Sequence, residues 1–183
     1  MRRKSTSETF IATNLQIVLS FLSDRMGEGF LPGEIQKATG ISKAGVYRAL
    51  AALEDQDLIV ADEKGRSIYS ARIDDPRVRQ FKVLNNVATL EPLVKKISPF
   101  ARKVVLYGSA ARGEDGIKSD IDLFIVAKDT SEVTRIINDL KFKRKLQPVI
   151  KTAVEVSEME GPEKVFLAEV NSGIILWEEK DGD

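Results

Sequence analysis

The sequence predicts a two-part chain of mixed α/β class (α+β in its mixture), and three observations predict it. Helical periodicity runs to about Leu58 and then gives way to an extended pattern. From Lys103 onward, short apolar runs alternate with helical segments, the order of an α/β unit. Between them, Asp75-Pro76 opens a further helical stretch. The expected organisation is a first domain over 1–73, a helical linker over 74–98 and a second domain over 99–183.

The elements follow in order. Ser5 and Glu8 stand at capping-box spacing, and Ile11, Leu15, Val18 and Leu22 form one apolar stripe, so a first helix is expected to start near Ser5. Pro32 suits the first turn of a second helix, with Ile35 and Ala38 facing inward and Gly40 as its stop. Ser42 is a good N-cap for a third helix that buries Val46, Leu50 and Leu53. Leu58–Ala61 and Ser67–Ile73 flank the turn Glu63-Lys64-Gly65-Arg66 and read as a hairpin. Val83, Val87, Leu90, Val94 and Ile97 then repeat at near-heptad spacing, but Pro92 predicts a kink or two helices. Strands are expected at Lys103–Tyr107, Ile121–Val126, Leu146–Lys151 and Ile174–Trp177, and helices at Ser131–Leu140 and Pro162–Val170. Pro148 marks the third of these strands as an edge or a bulge.

Composition narrows the chemistry. The 183 residues are 43% hydrophobic and 31% charged, a mixture that can bury a core. Lys+Arg and Asp+Glu number 28 each, so a globally basic, nonspecific nucleic-acid binder is excluded while a local basic face is not. No Cys and no His occur. Disulfides, thiolate or imidazole metal sites and His-based triads are therefore excluded, which leaves carboxylates, hydroxyls, Lys, Arg and hard metals. No signal core follows the basic start MRRKSTSETF and no apolar run spans a bilayer, so a cytoplasmic protein without a membrane partner is expected.

In the first half, helix, tight turn at Gly40-Ile41, helix and hairpin succeed one another, with Ser42-Lys43-Ala44-Gly45-Val46-Tyr47-Arg48 opening the third helix. This order resembles the winged helix-turn-helix domain of many prokaryotic regulators. The resemblance implies double-stranded DNA as a partner. Burial of Val46, Leu50 and Leu53 leaves Ser42, Lys43, Ala44, Tyr47 and Arg48 on the opposite face, where a recognition helix meets base edges and phosphates. Lys64 and Arg66 sit at the tip of the wing. Residues 1–73 carry ten Lys/Arg against nine Asp/Glu, so the same face also reads as a solvated protein-interaction surface. Binding tighter than nonspecific calls for a homodimer, because one module covers little DNA.

The second half contains Tyr107-Gly108-Ser109-Ala110-Ala111-Arg112-Gly113 and, further on, Lys118-Ser119-Asp120-Ile121-Asp122-Leu123. Asp120 and Asp122 are two apart at a strand start and so point the same way, while Ile121 and Leu123 point into the core. Two neighbouring carboxylates repel unless a cation lies between them, and Mg²⁺ takes hard oxygen ligands together with phosphate oxygens. Gly108 allows close backbone approach, and Ser109 adds a hydroxyl donor where a strand turns into a helix.

Gly-Ser followed after about ten residues by Asp-apolar-Asp resembles the nucleotidyltransferase superfamily that includes DNA polymerase beta, and within it the minimal prokaryotic members. The resemblance covers roughly 99–177. It implies Mg²⁺ held by Asp120 and Asp122, which are the catalytic pair, and a nucleoside triphosphate whose phosphates lie on Gly108 and Ser109. Arg112 and Lys118 are candidates to neutralise phosphate charge, or equally to form surface ion pairs. It implies transfer of a nucleoside monophosphate to a hydroxyl acceptor, which in related antitoxins belongs to a companion toxin protein.

Active members of that superfamily bring a third carboxylate from a later strand, and here Gln147 takes its place. An amide is neither a general base nor a good Mg²⁺ ligand. Glu155 reads as a first-turn helix residue, not as that acid. Whether the chain is an enzyme stays open at this stage. The alternative is an inactive, nucleotide-sensing transcriptional regulator, and a third reading is a scaffold whose two modules bind proteins.

Overall fold

A computed structural model describes residues 13–62 and 67–180. Lys64 and Arg66, and the capping pair Ser5 and Glu8, lie outside the described residues. Two compact units divide the chain, 1–85 and 86–183. Their division falls inside one helix, not at its start.

In the first unit, α1 (Asn14–Ser23) begins at Thr13, whose hydroxyl accepts from the Gln16 backbone while the Gln16 side chain reaches back. α2 (Pro32–Thr39) has proline at its start and ends at Gly40, which takes the left-handed conformation (φ 72°) that a side chain disfavours. α3 (Lys43–Asp55) is capped by Ser42, whose hydroxyl accepts from Gly45 N–H at 3.2 Å. β1 (Ile59–Asp62) and β2 (Ile68–Ala71) pair antiparallel, Ile59 with Ala71 through Asp62 with Ile68.

Val18, Leu22, Ile35, Val46, Leu50 and Leu53 form the buried centre of this unit. Each such side chain withdrawn from water contributes about 1.5–3 kcal/mol before its ordering entropy. Ala38, expected to face inward, is exposed. The short α2 presents a narrow stripe, and Ile35 alone fills it. An antiparallel bridge between Phe30 and Tyr69 ties the α1–α2 connection to the hairpin, through reciprocal N–H to carbonyl bonds of 2.9 Å. Nothing in the local pattern announces it.

α4 (Pro76–Ile97) begins after Asp75, whose carboxylate accepts from the Arg77 backbone N–H and guanidinium; that side-chain bond holds the carboxyl down at about 2. The helix continues through Pro92 as one element, so of the two expected outcomes a division into two helices does not occur. Val78 and Phe81 pack in the first unit, and Leu90, Leu93 and Ile97 in the second. No helix among the described residues is long and apolar enough to cross a membrane.

The second unit is a four-stranded sheet in the order β5-β4-β3-β6, formed by β3 (Ala101–Tyr107), β4 (Ile121–Ala127), β5 (Leu146–Thr152) and β6 (Ile174–Glu178). β3 pairs antiparallel with β4 and β6, and β4 pairs parallel with β5, so the sheet is mixed. The fold is thus of mixed α/β class. Pro148 sits in edge strand β5, where a missing N–H is tolerated. α5 (Gly108–Arg112) follows β3, α6 (Thr130–Asp139) follows β4, and α7 (Ala153–Ser157) and α8 (Pro162–Asn171) lie between β5 and β6. Leu106, Ile121, Leu123 and Ile125 belong to one core with Leu90, Leu93 and Ile97 of α4. Val105, Tyr107 and Phe124 belong to another with Phe166, Leu167 and Val170 of α8.

Candidate nucleotide site

The Gly-Ser turn and the two aspartates arrive side by side because β3 and β4 are neighbours. Tyr107, the last residue of β3, is paired with Asp122. The chain then turns at Gly108 (φ 69°) into α5. A Cβ built on Gly108 would stand 2.5 Å from Asp122 Oδ2. Glycine is therefore required twice here, for the positive φ and for the approach of the carboxylate. Gly108→Ala is expected to cost about 1–3 kcal/mol of stability from left-handed strain alone and to push Asp122 aside. Thermal unfolding would measure this, and a variant as stable as the wild type would contradict it.

Asp122 lies on the Tyr107/Phe124 face, and Ile121 and Leu123 are buried on the other, as the strand period requires. Its carboxyl is raised above the ordinary range, first by burial and then by the Asp120 and Glu169 carboxylates, while the Arg144 cation pulls the other way. Nothing among the described residues donates a hydrogen bond to it. Asp120 accepts from Lys145 Nζ at 3.0 Å, an exposed pair that solvent screens.

The donor set fits a hard cation. Two carboxylates on one face repel in its absence, and one of them lacks any donor of its own. No group of three or more acidic side chains that could hold a metal ion occurs among the described residues.

β5 runs beside the acidic pair. Asp122 is in register with Gln147 across the parallel pair β4–β5, and paired residues share a face of the sheet. Gln147 is exposed there. The residue beside Asp122 is thus an amide, in the place read from the sequence. Glu155 lies in the first turn of α7, its carboxylate accepting from the Thr152 N–H and hydroxyl, which holds its carboxyl low. It caps a helix, as its spacing suggested.

Arg112 is exposed and donates through Nε to Glu114 at 2.8 Å, with Glu169 at 4.0 Å. Lys118 is exposed just before the aspartates. Sequence reasoning missed Lys145, Glu169 and the pairing of partly buried Arg144 with buried Asn86 and Asp115. Arg144 stands among Lys141, Lys143 and Lys145, and nothing in the string separates it from these exposed lysines.

In the first unit, Ser42, Lys43, Ala44, Tyr47 and Arg48 are all exposed on one face of α3, while Gly45, Val46, Ala49 and Leu50 are buried. The helical phase read from the sequence places them together.

A Gly-Ser turn packed against an Asp-x-Asp strand in a mixed sheet defines a nucleotidyltransferase-like unit. Residues 90–182 match the family described as Polymerase beta, Nucleotidyltransferase, and the chain belongs to that family. No curated protein matches the chain.

Proposed function

We propose that this protein binds a Mg²⁺–nucleoside triphosphate at Gly108, Ser109, Asp120 and Asp122, and duplex DNA through α3. The observation that carries the first part is the seat of Gly108 against the Asp122 carboxylate, which sets the turn and the two acids around one space. Asp120 and Asp122 would hold the metal, and the phosphates would lie on Gly108 and Ser109. Lys118 and Arg112 would face the outer phosphates, Arg112 after parting from Glu114. When bound, the ion supplies charge neutralisation at the triphosphate. In the transfer reading, an acceptor hydroxyl forms a new bond to the α-phosphorus while the bond to the β-phosphate breaks and pyrophosphate leaves. Gln147 cannot take the hydroxyl proton, which in this reading passes to solvent water.

Titration calorimetry with ATP, GTP, CTP and UTP, with and without Mg²⁺, tests the site. Mg²⁺-dependent binding of at least one is expected, and no binding by any overturns the reading.

A second reading is favoured by Gln147 in register with Asp122. In it the unit senses a nucleotide without turning it over and alters DNA affinity by shifting populations. Identical DNA titrations with and without nucleotide would rule it out.

The DNA part rests on the element order of the first unit, three helices followed by a two-stranded antiparallel pair, and on the exposed face of α3. Homodimer formation would give such a module enough contact for specificity. The double variant Lys43→Ala, Arg48→Ala is expected to lower duplex affinity about tenfold or more and to reduce the salt slope by roughly two charges. Fluorescence anisotropy across a salt series measures both. Failure of every duplex to bind the wild type at low salt refutes this part.

A further inference from the structure

The loop that joins the Gly-Ser helix to the Asp-x-Asp strand is held from beneath by a buried polar group. Asp115 is 2% exposed, Asn86 8% and the Arg144 side chain 16%. Arg144 donates Nη1 to Asp115 Oδ2 at 2.5 Å and to Asn86 Oδ1 at 3.2 Å. Its Nε and Nη2 donate to the carbonyls of Ser119 at 3.0 Å and Asp120 at 3.3 Å. Asn86 completes the ring, donating Nδ2 to Asp115 Oδ1 at 3.2 Å and to the carbonyl of Ala110 in α5 at 2.9 Å.

Four segments therefore meet at one cluster: α4 through Asn86, α5 through Ala110, the loop through Asp115, Ser119 and Asp120, and the approach to β5 through Arg144. α5 carries the Gly-Ser turn and Asp120 opens the acidic pair. Burial of charge is costly unless its donors and acceptors are engaged, and these bonds engage four of the five guanidinium N–H groups and both Asp115 oxygens. Surface attachment of the loop would have needed none of it. A guanidinium suits the task because its rigid fork reaches two carbonyls and a carboxylate at once, whereas an ammonium is a single point charge.

We infer that Arg144, with Asp115 and Asn86, is a positioning residue that sets where the Asp120 carboxylate stands relative to the Gly-Ser turn. For its effect on ligand affinity, the inference rests on the nucleotide reading above. Groups that orient metal-binding side chains typically change metal affinity about 10–100-fold when removed.

The test uses full-length Arg144→Lys, with Asp115→Asn as an independent second variant that opens the same cluster from its other side. Two quantities are read: Mg²⁺-dependent ATP affinity by calorimetry, and backbone hydrogen exchange. The informative amides are Ser119, which donates to Gly116, and Ile121, which donates to Lys145. Both variants are expected to stay folded, to bind Mg²⁺–ATP about tenfold or more weakly, and to exchange faster at Ser119 and Ile121 than in the remaining strands. Wild-type affinity together with wild-type exchange in both variants overturns the inference. A lowered thermal midpoint with wild-type affinity in the folded protein also overturns it, since that marks packing alone. If the wild type binds none of ATP, GTP, CTP and UTP with Mg²⁺, the nucleotide reading falls. Exchange then still decides whether the cluster holds Asp120: locally faster exchange upholds it, and unchanged exchange overturns it.

Discussion

Replacing Asp122 with asparagine is expected to weaken Mg²⁺-dependent nucleotide binding by at least about 100-fold, or roughly 2.7 kcal/mol. The amide keeps the size of the carboxylate and its place against Gly108, but it removes the charge and one hard oxygen ligand. The same substitution leaves the ligand-free protein at least as stable as before. Burial and the neighbouring Asp120 carboxylate raise the Asp122 carboxyl, so its ionised form works against folding once the pH passes the ordinary carboxylate range. Wild-type stability at neutral pH therefore falls slightly relative to acid through this group, and asparagine abolishes that loss. Calorimetry paired with thermal unfolding separates the two effects. Unchanged affinity for every Mg²⁺–nucleotide would show that the ion is held elsewhere. A large fall in stability would show that Asp122 has a structural task that its surroundings do not reveal.

Gln147→Glu is expected to act in the opposite direction. Position 147 is in register with Asp122, so glutamate puts a third carboxylate on the same face of neighbouring strands. Mg²⁺ affinity in the presence of ATP should rise about tenfold, because a direct carboxylate ligand contributes at least as much as the groups that orient one. Pyrophosphate release from ATP, with water as acceptor, should rise by roughly 10²–10⁴, the usual effect of a positioned general base. Without metal the variant is less stable than the wild type, since a like charge is added beside Asp122. Mg²⁺ should restore the difference. If neither Mg²⁺ affinity nor pyrophosphate release changes, the third position lies elsewhere on the unit. If affinity rises without release, the wild-type chain is better understood as a binder than as a transferase.

Much of this was legible in the string. Gly108-Ser109 and Asp120-x-Asp122 lie on either side of a short loop, and each motif is recognisable from local chemistry alone. The alternation of Ile121 and Leu123 with the two aspartates already fixes which side chains share a face. Gln147 could be placed because the apolar run after it marks a strand. Likewise Val46, Leu50 and Leu53 define the phase of α3 and hence the exposure of Lys43, Tyr47 and Arg48. Period and caps are properties of neighbouring residues, and they carry this information without any long-range contact.

Other features depend on pairings between distant segments. An antiparallel bridge joins Tyr69 of β2 to Phe30, whose own surroundings carry no strand pattern. Pro92 lies within a single helix because α4 packs Leu90, Leu93 and Ile97 into the sheet core, a tertiary gain that outweighs the lost backbone bond. Lys145 meets Asp120 only because β5 lies parallel beside β4.

The sequence by itself determined the mixed α/β class and the spacing of the Gly-Ser and Asp-x-Asp motifs, since each rests on local pattern and residue chemistry. Only the tertiary structure decided that Gly108 stands against Asp122, that Gln147 is in register with Asp122, and that Arg144 is partly buried while the lysines around it are exposed. Register between strands and the burial of one charge among several are set by the packing of the whole unit, and no short stretch of sequence encodes them.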